Sequence, residues 1–137
     1  MNERTEALKA RTKRFALDVL GLVTALPHTD EARVIGRQVL RSATGVASNY
    51  RAACRARSRA EFAARIGIAL EEADESSLWL ELLLEGGIAR TTDAVRLLGE
   101  SDQLTAIFAK SRITTLQALD RLPQDAGRPS RLRDRGS

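Results

Sequence analysis

The sequence lacks most of the residues from which small proteins build disulfides, metal sites and catalytic centres. Its 137 residues include a single cysteine, Cys54, and a single histidine, His28. One thiol excludes an intramolecular disulfide and a cysteine-cluster metal site, and His28 follows Pro27 in a predicted loop, away from any nucleophile. Glycine-rich phosphate loops are also absent. We therefore expect no metal, no cofactor and no catalytic residue, and predict that the chain is not an enzyme.

Long apolar runs are missing as well, and the first residues have no hydrophobic segment, so we expect no secretory leader. No stretch reaches the roughly 18 apolar residues that a membrane span requires, so no membrane association is expected. The composition, with 43% apolar and 29% charged residues and a net charge of +4, is that of an ordinary globular protein. A lone thiol suits a reducing compartment, and we predict a cytoplasmic protein.

Proline occurs only at positions 27, 123 and 129, which leaves a long uninterrupted region for helices. Apolar residues recur there at three- and four-residue spacing, which predicts helices over about 4–26, 30–56, 59–86 and 92–122. Short connections force neighbouring helices to run antiparallel. The predicted fold is all-α, an antiparallel up-down-up-down four-helix bundle over residues 1–122. Residues 123–137 carry four arginines and few apolar residues, and we predict a disordered basic tail.

Several residues at the predicted helix ends are typical of caps. Ser58 with Glu61 three residues later indicates a capping box, and the Gly86-Gly87 pair favours a left-handed helix stop. The other expected N-caps are Thr29 or Asp30 for the second helix and Thr91, Thr92 or Asp93 for the fourth.

Charge is unevenly distributed between the second and third helices. Residues 33–65 hold eight arginines and one acid, whereas residues 66–89 hold six acids and no base. At about 100° per residue, five of these arginines fall within an arc of roughly 80° on a continuous second helix. This basic ridge consists of Arg33, Arg37, Arg41, Arg51 and Arg55. Its length of roughly 33 Å is close to one turn of duplex DNA.

The ridge has two interpretations that the sequence leaves open. In the first, it binds RNA or DNA through the phosphate backbone, without base-specific readout, because a polyanion relieves the repulsion between stacked guanidinium groups. In the second, the arginines pair with acids of the third helix, within one chain or across a subunit boundary. The protein is then an adaptor or a structural ring with no nucleic-acid role.

The third helix also carries more apolar surface than one stripe requires. Around Trp79 the apolar residues surround the helix, which favours a subunit interface over a wide core face. The expected interface residues are Trp79, Leu82, Leu83, Glu71 and Glu75.

A set of residues in the second and third helices forms a motif. Its members are Gln38, Arg41-Ser42-Ala43, Val46, Ser48-Asn49, Arg57-Ser58, Glu61-Phe62, Ile68-Ala69-Leu70 and Glu75. The motif resembles the core of the four-helix-bundle family of bacterial ribosomal RNA intervening-sequence proteins, over about residues 5–120. The resemblance implies a ring-like homo-oligomer, typically a pentamer. Through the related accessory variability protein of diversity-generating retroelements, it also implies RNA or DNA, and a reverse transcriptase or another protein, as partners.

Overall fold

The computed structural model describes residues 2–121, which form four α-helices joined by short loops. The helices are α1 (Glu3–Thr24), α2 (Asp30–Cys54), α3 (Arg59–Glu85) and α4 (Thr92–Asp120). The all-α prediction is confirmed, and the helix ends lie within a few residues of the predicted positions. The predicted basic tail, residues 123–137, lies outside the described residues.

Each helix begins at a residue whose side chain accepts a backbone N–H of the first turn. These N-caps are Asn2, Thr29, Ser58 and Thr91. The Ser58 hydroxyl accepts the N–H of Glu61 at 3.0 Å, as the capping box predicts, while the Glu61 carboxylate accepts the N–H of Arg57 at 3.2 Å. The reciprocal bond thus reaches one residue further back than in the usual box. After α3, Gly87 has a φ of +74°, the left-handed conformation that a glycine adopts without steric strain.

The helices pack in an antiparallel bundle in which α3 occupies a central position. It packs extensively against both α2 and α4, whereas α1 packs mainly against α2 and makes few contacts with α4. Fully buried side chains such as Phe15, Val39, Ile66 and Leu104 form one continuous core from all four helices. Burial of these apolar surfaces supplies most of the stability of such a fold.

Small buried polar residues lie where α3 contacts α2 and α4. The hydroxyls of Ser42 in α2 and Ser76 in α3 lie 2.7 Å apart, and the hydroxyl of Ser77 contacts that of Ser101 in α4.

Because neighbouring helices are antiparallel, the α2–α3 loop lies at the same end of the bundle as the start of α1 and the end of α4. We call this end the loop end.

Candidate nucleic-acid interface

The five arginines of the basic ridge lie at the surface of the bundle. Helix α2 is continuous to Cys54, and Arg55 is its C-cap residue, so the ridge follows one flank of a single helix. All five side chains are exposed in the isolated chain. Their ion pairs, however, divide them into two groups.

Arg41, in the middle of the ridge, is held by two carboxylates of α3. Its guanidinium donates to Glu75 and lies 3.5 Å from a carboxylate oxygen of Glu72. Gly45 makes room for this arrangement, because a Cβ at that position would lie 2.5 Å from Glu72 Oε2. Burial raises the pKa of Glu72, and the nearby Arg41 charge opposes that rise. The pairing of the ridge with third-helix acids is therefore present at this residue, within one chain.

The remaining ridge arginines differ in whether they form an ion pair. Arg33 pairs with Asp30 of its own helix, with Nη2 and Oδ1 2.5 Å apart. Within residues 2–121, Arg37, Arg51 and Arg55 form no ion pair. An exposed arginine without a carboxylate partner keeps all its donors available to a phosphate.

The start of α1 extends the C-terminal part of the ridge. Lys9 and Lys13 line a groove between α1 and α2 together with Arg51 and Arg55, and the groove has a volume of about 580 Å³. Sequence reasoning did not place these lysines beside the ridge. The available signal was the antiparallel order of the helices, which sets the beginning of α1 next to the end of α2. We call this feature the α1/α2 groove; its apolar lining is Ala16, Leu17, Leu20, Leu40 and Ala47.

Further arginines gather at the loop end of the bundle. Arg57 and Arg59 flank the start of α3 and line a second cavity, of about 420 Å³, that also touches the C-terminal part of α4. Arg112 of α4 lies over Gly67 of α3, with its Nε 3.3 Å from the position that a Cβ would take there. These residues are exposed. We call this group the basic end: Arg55, Arg57, Arg59, Arg65, Lys110 and Arg112.

Arg57 and Arg59 lie at the N-terminus of α3, where the helix dipole disfavours positive charge. Positive charge at a helix N-terminus is unfavourable, by roughly 0.3–1 kcal/mol at exposed sites. Arg59 is the first residue of α3, and the described ion pairs do not include either arginine. Helix stability therefore gives no reason for arginines here, whereas binding of an anion does.

The predicted interface residues of α3 occupy three different environments. Leu82 and Glu71 are exposed, and Trp79 and Glu75 are half-buried. Leu83 lies instead in the chain's own core and is fully buried, because it faces the other helices, so it has no surface to offer a second subunit. Trp79 packs against the core, and its indole Nε1 has no hydrogen-bond partner within residues 2–121.

The described residues also bear on metal binding and on membrane spanning. Residues 2–121 contain no cluster of three or more His, Cys, Asp or Glu side chains with the geometry of a metal site. None of the four helices is both long enough and apolar enough to cross a membrane.

Comparison with known proteins places the chain among helical bundles of the same kind. The model of the family described as 23S rRNA-intervening sequence protein matches residues 6–110. A crystal structure of a protein of unknown function from the S23 ribosomal protein family of Bacteroides thetaiotaomicron is similar, with 30% identity and a TM-score of 0.70. The match covers 76% of this chain and 96% of that chain. No curated protein matches the chain.

Proposed function

Because the chain belongs to the 23S rRNA-intervening sequence protein family, we propose that it is a non-catalytic, homo-oligomeric helical bundle that binds the phosphate backbone of RNA or DNA. The observation that carries this proposal is the group of exposed arginines without ion pairs at the loop end. The basic ridge and the basic end share Arg55. Together they place exposed positive charge on α2, at the start of α3 and on the C-terminal part of α4.

The ridge arginines contribute unequally to phosphate binding in this proposal, because some of them form ion pairs and others do not. Arg51 and Arg55 are free and have Lys9, Lys13 and Arg57 nearby, so they are the principal contacts. Arg37 is also free but stands further from the basic end.

Arg41 and Arg33 are weaker contacts in this proposal. Each must give up a carboxylate partner, or share it, before its guanidinium binds a phosphate. The energy of an exposed pair is about 0.2–1 kcal/mol, so this reduces their contribution without abolishing it.

The proposed binding is non-specific in sequence. Phosphate contacts position a protein on nucleic acid, whereas base recognition needs side chains that reach base edges or stack on bases. Tyr50 is buried against Phe108, and Trp79 is half-buried, so neither ring is a free stacking platform. Several copies of one weak surface in an oligomer bind a long polyanion with much higher avidity than one copy.

A second candidate function has its own supporting observation. Arg41 is already paired with Glu72 and Glu75, as expected if the arginines serve protein contacts. In that case the protein is an adaptor or a structural ring with no nucleic-acid role, and its arginines pair with carboxylates of a neighbouring subunit rather than with phosphates.

Fluorescence anisotropy with a labelled single-stranded RNA of roughly 30 nucleotides tests the proposal across a salt series. Affinity should fall linearly with salt on logarithmic axes, and Arg57→Glu with Arg59→Glu should reduce that slope by about 1.4. Both substitutions place acids at the N-terminus of α3, where they favour the helix, so lost binding is not lost folding. Arg37→Glu should reduce the slope by about 0.7.

Arg90→Glu with Arg96→Glu is the matched control, because it changes the net charge equally at the opposite end of the bundle. It should retain most of the affinity. Binding that is insensitive to salt, or an Arg57→Glu, Arg59→Glu variant that binds as tightly as the unmodified chain, overturns the proposal.

A further inference from the structure

The second cavity, at the loop end, combines groups that the rest of the basic end does not. Besides Arg57 and Arg59 it is lined by Phe62 of α3 and by Thr114 and Thr115 of α4. Its volume of about 420 Å³ lies within the range of pockets that hold small organic molecules. We call it the α3/α4 cavity. It therefore offers more than a charged surface.

Phe62 differs from the other phenylalanines of the chain. Phe15 and Phe108 are fully buried in the core. Phe62 packs against the core but remains partly exposed, and it lines the α3/α4 cavity. An accessible aromatic ring is a platform on which a nucleobase stacks, whatever the base. The cavity thus has a place for a flat ring.

The cations of the cavity are available to an anion. Arg57 and Arg59 are exposed and form no ion pair within residues 2–121. None of the lining residues that the structure describes is acidic, and nearby Glu61 accepts the backbone N–H of Arg57. Guanidinium groups bind phosphate oxygens through two parallel hydrogen bonds. The favoured anion is therefore a phosphate.

The α4 side of the cavity supplies hydroxyl groups. The Thr115 hydroxyl donates to the Ser111 carbonyl at 2.9 Å, which leaves its oxygen free to accept. Thr114 is exposed, so its hydroxyl is able to donate as well as accept. Sugar hydroxyls and base edges need partners of this kind. The cavity thus presents an aromatic ring, two cations and two hydroxyls, which match the base, the phosphate and the sugar of a nucleotide.

We propose that the α3/α4 cavity holds one unpaired nucleotide of a single strand. Its base stacks on Phe62, and its phosphate binds Arg57 and Arg59. The inference rests on the proposed function and adds a preferred form of nucleic acid to it. In a duplex each base is paired and stacked between its neighbours, so it does not enter the cavity. Because stacking accepts every base, binding stays non-specific in sequence.

Neighbouring arginines favour a strand over a free nucleotide. Arg112 is exposed and precedes Thr115 by three residues, so the two lie on the same side of α4, about 4.5 Å apart along its axis. Arg55 is exposed at the end of α2, two residues before Arg57. These two arginines flank the cavity and bind the phosphates before and after the nucleotide that it holds.

Fluorescence anisotropy of the full chain, with a labelled RNA of roughly 30 nucleotides as a single strand and annealed to its complement, tests the inference. Phe62→Leu keeps an apolar side chain but removes the aromatic ring. It should weaken single-strand binding by about fivefold, the lower end of what one stacked base contributes. Its duplex affinity should not change. The salt dependence of single-strand binding should also keep its slope, because Phe62 neutralises no phosphate.

Phe62→Tyr is the conservative variant and should keep the single-strand affinity, since it retains the ring. A Phe62→Leu variant that binds the single strand as tightly as the unmodified chain overturns the inference. So does an equal loss of single-strand and duplex binding, which indicates a structural role for Phe62. In both cases the loss of slope with Arg57→Glu and Arg59→Glu still supports the proposed function. An unmodified chain that binds neither form overturns both.

Competition distinguishes a nucleotide within a strand from a free one. Uridine monophosphate and an unlabelled tetranucleotide of uridine are each added to the complex with the labelled single strand. The tetranucleotide should displace the strand at a concentration at least about tenfold lower, because Arg55 and Arg112 bind its additional phosphates. Equal displacement by the mononucleotide assigns the cavity to a free nucleotide and overturns the inference.

Discussion

At the scale of single residues, Arg41 differs from the other arginines of the basic ridge because its guanidinium is paired with carboxylates of α3. Five arginines of one helix flank look equivalent in the sequence, but one of them lies opposite two half-buried carboxylates. Gly45 allows Glu72 to approach α2 closely, and Arg41 compensates the charge that this approach buries. The same residue type therefore serves the fold at position 41 and is free for a ligand at positions 37, 51 and 55.

Replacing Arg41 should destabilise the bundle more than replacing Arg37. Arg41→Gln leaves Glu72 and Glu75 facing each other without a cation, which should lower the free energy of unfolding by about 1 kcal/mol. Arg37→Gln removes no ion pair and should change it by less than about 0.5 kcal/mol. Urea denaturation of both variants measures the difference, and equal effects would contradict this role of Arg41.

The raised pKa of Glu72 predicts a specific dependence of stability on pH. The folded chain binds the Glu72 proton more tightly than the unfolded chain does, whose carboxyl titrates near the ordinary value of 4.5. The contribution of this group to the free energy of unfolding is therefore largest below that value and decreases as the pH rises through the raised pKa.

Glu72→Gln removes this titration and should flatten that part of the profile. At neutral pH the melting temperature of the variant should equal or exceed that of the unmodified chain, because the buried charge is gone. Thermal melts in a series of buffers test this. A profile as steep as that of the unmodified chain would show that another group is responsible.

At the scale of helices, small buried residues determine how closely α2, α3 and α4 approach. Ser42, Ser76, Ser77 and Ser101 are all buried at the level where these helices meet. Their hydroxyls bond to one another or to backbone carbonyls, so the polar atoms are satisfied. The packing of the central helix α3 depends on these residues remaining small.

A large side chain at this level should force the helices apart. Ser76→Leu places a bulky group in the contact with Ser42 and should destabilise the bundle by about 1–3 kcal/mol. Ser76→Ala is the control and should cost only about 0.5–1.5 kcal/mol, because Ser42 keeps its bond to the Val39 carbonyl. Chemical denaturation of both variants compares them, and a Leu variant as stable as the Ala variant would contradict tight packing here.

At the scale of the whole molecule, α1 is the least embedded helix. It packs mainly on α2, and its contact with α4 includes the ion pair of Arg11 with Glu100, 2.7 Å apart. That carboxylate raises the pKa of the Arg11 guanidinium. The same loose packing leaves the α1/α2 groove open on the surface.

Hydrogen exchange should therefore distinguish α1 from α3. Backbone amides of α1 should exchange well before those of α3, because α1 opens without disrupting the packing of α2, α3 and α4. Mass spectrometry of the exchanged peptides measures both helices, and exchange in α1 that is as slow as in α3 would contradict the looser packing of α1.

The sequence alone was sufficient for the helices and their order. Spacing of apolar residues, the caps at Ser58 and Thr29, and the glycines after α3 are local signals, and each acts within a few residues. For that reason all four helices and their approximate ends were predictable, and so was the family. The position of the five ridge arginines on one flank of α2 also followed from the helical angle.

Only the tertiary structure decided which charges meet. The pairing of Arg41 with Glu75, the burial of Leu83 and the convergence of Lys9 with Arg51 depend on distances between residues far apart in the chain. Helical periodicity specifies which side a residue faces, but not the register of one helix against the next. That register follows from the packing of the whole core, and it determines which arginines remain free for a polyanion.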